Sequence, residues 1–265
     1  MGCRQISATK LQTYHRCPKS YWFRYETGLK SPAFFNSAAL GTALHQALAD
    51  IYSDWHYLEP IPRLDWIDEC WEQNFDGLSP AQAEEGRGIL ENYYHKFIAS
   101  EIALQRPLAV EGRIQGILRI ENVEFIITGR FDRLDYTESG IELIDYKSTK
   151  EIKLPHPAEI DLQMGLYYLA LEQHYQHGLQ KLSLVYLRQQ KKIDFDASQE
   201  QKQRVKEAIA QIAVQLRTDN EWEPTPGEHC YNCAYSRYCH AVSDRPLALP
   251  ETVRTTTDLQ LALNL

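Results

Sequence analysis

No stretch of this 265-residue sequence approaches the roughly 18 consecutive apolar residues of a membrane span. The first residues carry no secretory leader pattern, and MGCRQIS misses a myristoylation signal because Ile6 stands where Ser or Thr is required. The expectation is a soluble, cytoplasmic protein with no membrane partner. Positive charge is in short supply: 28 Lys and Arg face 36 Asp and Glu, a net charge of −8. A nucleic-acid partner therefore has to be gripped by local basic clusters, not by the field of the whole surface. There is no internal repeat, no low-complexity segment and no nucleotide-binding G-x-x-x-x-G-K-[ST] loop, so no helicase motor is read in it. Cysteines number six, and without a leader they point to metal binding more than to a disulfide framework.

What is present suffices for a sizeable core, with 43% hydrophobic residues. The first third is helical in pattern. A short helix is expected after Ser7, carrying Leu11 and Tyr14. A second follows Asn36 with Leu40, Leu44, Leu48 and Ile51 in one apolar stripe. Further helices are expected over 63–76 and 79–104. The period then changes from 3.6 to 2, predicting strands at 107–119, 122–135 and 141–148. A helix at 158–174, a strand at 182–188 and a long helix at 198–217 follow. The segment from Glu221 is rich in Pro, Gly and Cys, and the tail after Ser243 reads as loosely tied. This order predicts an α/β domain around a mixed sheet.

One predicted strand, in IELIDYKSTK, breaks the rule for a buried run by carrying Asp145 and Lys147. YTESG before it is turn chemistry. A turn centred between Glu138 and Ser139 sets Asp132 directly opposite Asp145, and period-2 alternation puts Lys147 on the same face. Like charges so placed repel. Two carboxylates held together call for a hard divalent cation, Mg²⁺ or Mn²⁺, which activates water and polarises a phosphoryl oxygen. Lys147 is suited to positioning that water or neutralising charge on a phosphate. The plainer alternative is a surface ion pair between Asp145 and Lys147, or with Arg130 and Arg133.

GRFDRLD followed by ELIDYKS resembles the core of the PD-(D/E)XK nucleases, and in particular those of the RecB type. GTALH resembles the upstream histidine motif of that family, and QMGLY its downstream Gln-x-x-x-Tyr motif. The resemblance implies metal binding by His45, Asp132 and Asp145, a catalytic role for Lys147, and a place for Gln163 and Tyr167 near the bound strand. CPKSYWFRY and CYNCAYSRYC resemble the iron–sulfur staple of AddB and of the CRISPR-associated RecB-like nucleases. By that resemblance Cys17, Cys230, Cys233 and Cys239 hold a 4Fe–4S cluster.

Taken singly, each residue also has a plain structural reading. His45 lies beside an apolar stripe, Gln163 and Tyr167 could form a polar helix edge, and Glu111 is either a further acid near the metal or a solvated strand position. The spacing C-x2-C-x5-C with a distant fourth cysteine implies a thiolate site, and zinc accepts four thiolates as iron–sulfur clusters do. Either occupant ties the start of the chain to its end. Cys3 falls near the N-terminus, and Cys70 reads as a buried thiol. In YHRCPKSYWFRY, rings interleave with cations, which suits either core packing or a single-stranded nucleic-acid groove using Arg16, Lys19 and Arg24. Lys150, Lys153, Arg188, Lys191 and Lys192 are further candidates.

The expectation is an α/β, restriction-endonuclease-like core with a central mixed sheet flanked by helices. One nuclease domain spans 1–242, with a helical insertion at about 50–105, and a tail follows at 243–265. Its expected activity is a Mg²⁺- or Mn²⁺-dependent deoxyribonuclease, an exonuclease on single-stranded DNA or DNA ends in the manner of DNA repair enzymes. The alternative is a non-catalytic DNA-binding or scaffold subunit of a helicase–nuclease or CRISPR-adaptation complex. A weaker third reading is a zinc-stapled RNA nuclease.

Overall fold

The computed structural model describes residues 4–30, 35–120, 123–152, 162–175 and 178–250. Cys3, Lys153 and the C-terminal LQLALNL lie outside them. A three-residue strand, β1 (Arg4–Ile6), comes first. The Ser7 hydroxyl then accepts from the Lys10 N–H at 3.3 Å and starts α1 (Ala8–Arg16). Pro18 opens α2 (Pro18–Tyr21), and Cys17 occupies the corner between the two helices. Helix α3 (Phe35–Ser53) buries the predicted stripe of Leu40, Leu44, Leu48 and Ile51. It packs with α4 (Leu64–Glu72) and α5 (Pro80–Phe97), which begins on a Ser79–Gln82 capping box. Helix α5 stops short of the expected 104. Ile98 turns into the core, fully buried, and the Ala99 N–H closes back on the Tyr94 carbonyl at 2.8 Å.

The next segment departs from the simple meander expected. The run 107–119 divides into β2 (Ala109–Val110) and β3 (Arg113–Ile120), and the run 122–135 into β4 (Val123–Arg130) and β5 (Arg133–Thr137). Both break at the same level because the two-stranded ribbon bends there and passes from one sheet to another. Register is continuous through the bend: Val110 pairs with Arg133 on one side and Arg113 with Arg130 on the other. Main-chain bonds from Glu111 N–H to Asp132 O (2.7 Å) and from Phe131 N–H to Gly112 O (3.0 Å) hold the corner.

Strand β6 (Gly140–Lys147) then pairs with β5, Thr137 facing Gly140 and Arg133 facing Ile144, which is the register of a turn centred between Glu138 and Ser139. Helix α6 (Leu162–Leu171) crosses over to β7 (Leu179–Tyr186), which lies parallel to β6. Strand β8 (Lys191–Asp196) and helix α7 (Gln199–Thr218) follow. One sheet runs β1-β4-β3 and the other β2-β5-β6-β7-β8. Both mix parallel and antiparallel pairs, as the α/β expectation requires.

The larger sheet is covered on both faces, which is why β6 reads as an almost unbroken apolar run. Ile141 and Leu143 face a core shared with α1, α6 and α7, while Ile144 and Tyr146 face the core of α3, α4 and α5. Among the described residues no helix is long and apolar enough to cross a membrane.

Candidate active site

The ribbon bend delivers two carboxylates to one point. Glu111 stands opposite Asp132 across the corner, and helix α3 brings His45 against them. His45 Nδ1 lies 3.1 Å from Asp132 Oδ1, and one donor atom from each of His45, Glu111 and Asp132 falls within 4.8 Å of the others. The second oxygen of Asp132 accepts from the Tyr146 main-chain N–H at 2.6 Å. Arg130 Nε reaches Glu111 Oε2 at 2.6 Å. Glu111 itself adopts a left-handed φ of 49°, a conformation costing a side-chain-bearing residue on the order of 1 kcal/mol.

Beside this group, β6 and α6 present a second one. Lys147 Nζ lies 2.7 Å from Asp145 Oδ2 and donates to Gln163 Oε1 at 2.9 Å. The Gln163 amide donates in turn to Asp145 Oδ1 (2.8 Å) and to Tyr167 Oη (3.2 Å). The Lys147–Asp145 contact is close but poorly directed as a hydrogen bond, so it is chiefly a contact of charges. Gln163 and Tyr167 meet it from one face of α6, four residues apart. Gly129 makes room for that face, since a Cβ there would sit 2.6 Å from the Tyr167 ring.

Burial dominates the electrostatics. It pushes the Asp145 carboxyl up to about 6, with Lys147 opposing and Asp132 adding to the rise. It also raises Glu111, and the facing Asp132 raises it further. Burial lowers His45, but its hydrogen bond to Asp132 and the charges of Asp132, Asp145 and Glu111 outweigh that and leave it raised. The site therefore gathers three acidic side chains around one imidazole. One imidazole nitrogen and two carboxylates make a donor set that suits Mn²⁺ or Mg²⁺.

The predicted catalytic and metal-binding residues His45, Asp132, Asp145, Lys147, Gln163 and Tyr167 converge here, in two adjoining clusters, whereas the four predicted cysteine ligands lie at a separate centre. Asp145 sits with Lys147, Gln163 and Tyr167, while the compact imidazole–carboxylate group takes Glu111 as its third member. The signal for Glu111 lay in the pairing register of Ile120 with Val123, which, continued, sets Glu111 opposite Asp132. Of the alternative ion pairs of the sequence reading, Asp145–Lys147 does form, with Asp145 buried and not at the surface, while Arg130 holds Glu111 and Arg133 holds Asp135 on the reverse face of the sheet.

A second centre lies between the first helices and the C-terminal turns. Cys17, Cys230, Cys233 and Cys239 line one cavity, all as free thiols. Burial raises the Cys233 thiol, and the charges of the other three cysteines add to it. Phe23, Leu29 and Tyr235 pack around them. Cys70 is buried elsewhere, and burial pushes its thiol up to about 12.

Core packing accounts for several rings of the aromatic–basic stretch. Tyr14 and Tyr21 are buried, with Tyr21 stacked on Trp222. Lys19 rides 4.7 Å over the Trp22 ring, and Arg16 and Arg24 line a polar groove beside Cys233. Of the later candidates, Arg188 is paired with Glu85, and Lys192 binds Glu142 at 2.6 Å on the reverse face, away from the site. Lys150 and Lys191 are exposed.

Comparison with known proteins places these clusters in a family. The family model described as the PD-(D/E)XK nuclease superfamily matches residues 5–240, and the chain belongs to that superfamily. Its members are nucleases that use divalent metals, and the fold and motif order agree with the RecB-type resemblance. The B subunit of an ATP-dependent helicase/deoxyribonuclease from Carboxydothermus hydrogenoformans is 21% identical over 177 residues, which are 55% of this chain and 16% of that relative's length. Two solved structures align along almost the whole chain. SSO0001 has 14% identity and a TM-score of 0.45, covering 94% of this chain and 89% of its own. An exonuclease candidate from Eubacterium rectale has 12% identity and a TM-score of 0.48, covering 97% and 92%.

Proposed function

We propose that the chain is a Mg²⁺- or Mn²⁺-dependent deoxyribonuclease acting on single-stranded DNA or DNA ends. The observation that carries this reading is the pair of adjoining clusters, one acidic and compact, the other organised around a single lysine. His45, Glu111 and Asp132 would hold the ion, with Asp145 adjoining. Bound there, a divalent ion supplies Lewis-acid activation of a water and of the scissile phosphate. Gln163 and Asp145 hold the Lys147 ammonium between them, aimed for the charge that develops on the phosphoryl oxygens. Tyr167 orients Gln163, and Tyr146 N–H fixes the direction of Asp132.

For the thiol centre we infer a 4Fe–4S cluster. What supports it is the likeness of the cysteine pattern to an iron–sulfur staple, together with the placement of all four cysteines around one cavity; zinc is the alternative occupant of four thiolates. The cluster ties the α1–α2 corner to the last turns, so that 1–242 works as one nuclease unit. We also infer a cytoplasmic setting, which suits free thiols. We further infer, as a partner, a helicase that opens the duplex. The relative named for a helicase/deoxyribonuclease supports such a partner.

The test is cleavage of end-labelled single-stranded DNA by protein purified without oxygen, in Mn²⁺, Mg²⁺ and EDTA, with Asp145→Ala and Lys147→Ala alongside. Metal-dependent cutting lost in both variants is the expected result. A folded, cluster-loaded wild type that cuts no strand or end would point to the scaffold alternative.

A further inference from the structure

The two site aspartates each have a sequence neighbour on the other face of the sheet. Arg133 follows Asp132 and Tyr146 follows Asp145, and alternation turns both toward α3 and α5. There they meet. Arg133 Nη1 donates to Tyr146 Oη at 2.9 Å and to Tyr93 Oη at 3.3 Å, while Nη2 pairs with Asp135 at 2.9 Å. The guanidinium lies 4.0 Å over the ring of Tyr52, which sits two turns after His45 on the same face of α3. The Tyr146 ring stands edge-on to the His45 imidazole, centroids 6.0 Å apart at 89°. Through its main-chain N–H, Tyr146 also fixes Asp132 at 2.6 Å. A single buried residue thus touches two members of the acidic group, and its hydroxyl is held by a buried arginine.

Filling space does not explain this choice. Burying a guanidinium is costly, apolar residues of similar volume pack at least as well, and Arg133 Nε is buried here without a partner. What the hydrogen-bonded fork adds is direction.

We propose that Arg133 and Tyr146 are positioning residues: they clamp α3 to the sheet from behind and so fix His45 against Asp132 in metal-binding geometry. The inference rests on the metal reading above and extends it to residues that would not themselves touch the ion.

Direct Mn²⁺ binding to DNA-free protein, read from the EPR signal of the free ion, separates the two. Tyr146→Phe keeps the ring and the main-chain bond but removes the hydroxyl. It is expected to raise the Mn²⁺ dissociation constant about tenfold, as loss of outer supports of a metal site does. Arg133→Lys, which keeps the charge opposite Asp135 and loses the fork, is expected to act in the same direction. For both variants kcat should return close to that of the wild type at saturating Mn²⁺. Ile67→Val, a substitution in the same helical core away from the clamp, should leave the dissociation constant unchanged. Clamp variants that bind Mn²⁺ as tightly as the wild type, or a control that weakens binding equally, would overturn the proposal. A wild type that binds no Mn²⁺ would overturn the metal reading itself, and the clamp with it.

Discussion

Without a cation, Glu111 works against the fold. It faces Asp132 across the ribbon corner, is strained at its own backbone, and is held above the ordinary carboxylate range by burial first and by Asp132 second. A carboxyl raised in the folded state costs nothing below its unfolded value, where both states are protonated. The cost grows as pH rises from the unfolded to the folded value and is full above it. Glu111→Gln should therefore raise the Tm of metal-free protein in EDTA at pH 8, and that gain should vanish near pH 4. Thermal melts of the two proteins across that range check it, and a Tm lowered at pH 8 contradicts it. Mn²⁺ should stabilise the wild type more than the variant. At this scale the sequence was informative where local rules apply. The turn at Glu138 and Ser139 was enough to set Asp132 beside Asp145, and their spacing with Lys147 stood out inside an apolar run. Glu111 stayed undecided because its role depends on a bend that nothing in its immediate neighbours announces.

Among the elements, the ribbon corner and α6 do most to assemble the site. Pairing register is continuous through the corner, but the side-chain alternation shifts phase there, since Phe131 and Leu134, three residues apart, enter the same core; a shift that short inside a strand-forming run did not announce two sheets. Strand β1 is too short to show a period, and β8 hides its two inward residues, Ile193 and Phe195, among lysines and aspartates. Helices α1 and α7 were legible because cap and stripe agree, and α3 because of its stripe, whereas the end of α5 depends on Ile98 finding the core. Helix α6 meets β4 closely at Gly129. In Gly129→Ala the new methyl lies 2.6 Å from the Tyr167 ring, which has to move and take its contact with Gln163 along. Overpacking of this kind costs about 1–3 kcal/mol. A Tm lower by several degrees and a fall in kcat larger than the fall in folded fraction are expected. Unchanged kcat in the folded variant would remove Tyr167 from the account.

Across the whole molecule, two centres divide the labour. The four cysteines join the α1–α2 corner to the C-terminal turns, far apart in sequence; spacing announced the three C-terminal ones, and the family resemblance picked out Cys17 as the fourth. If they carry a cluster that clips the chain, Cys233→Ser should lose iron and melt several degrees lower, with iron content and Tm falling together. Full iron content in the variant would break that link. The acidic group, by contrast, sits where the ribbon passes between the sheets, and in the proposed function it holds the ion. The most direct measurement is anomalous diffraction from crystals grown with Mn²⁺. The account predicts a strong peak bounded by His45, Glu111 and Asp132, beside Asp145, and absent in Asp132→Ala. A saturated crystal with no peak there, or cleavage that persists in EDTA, would contradict it.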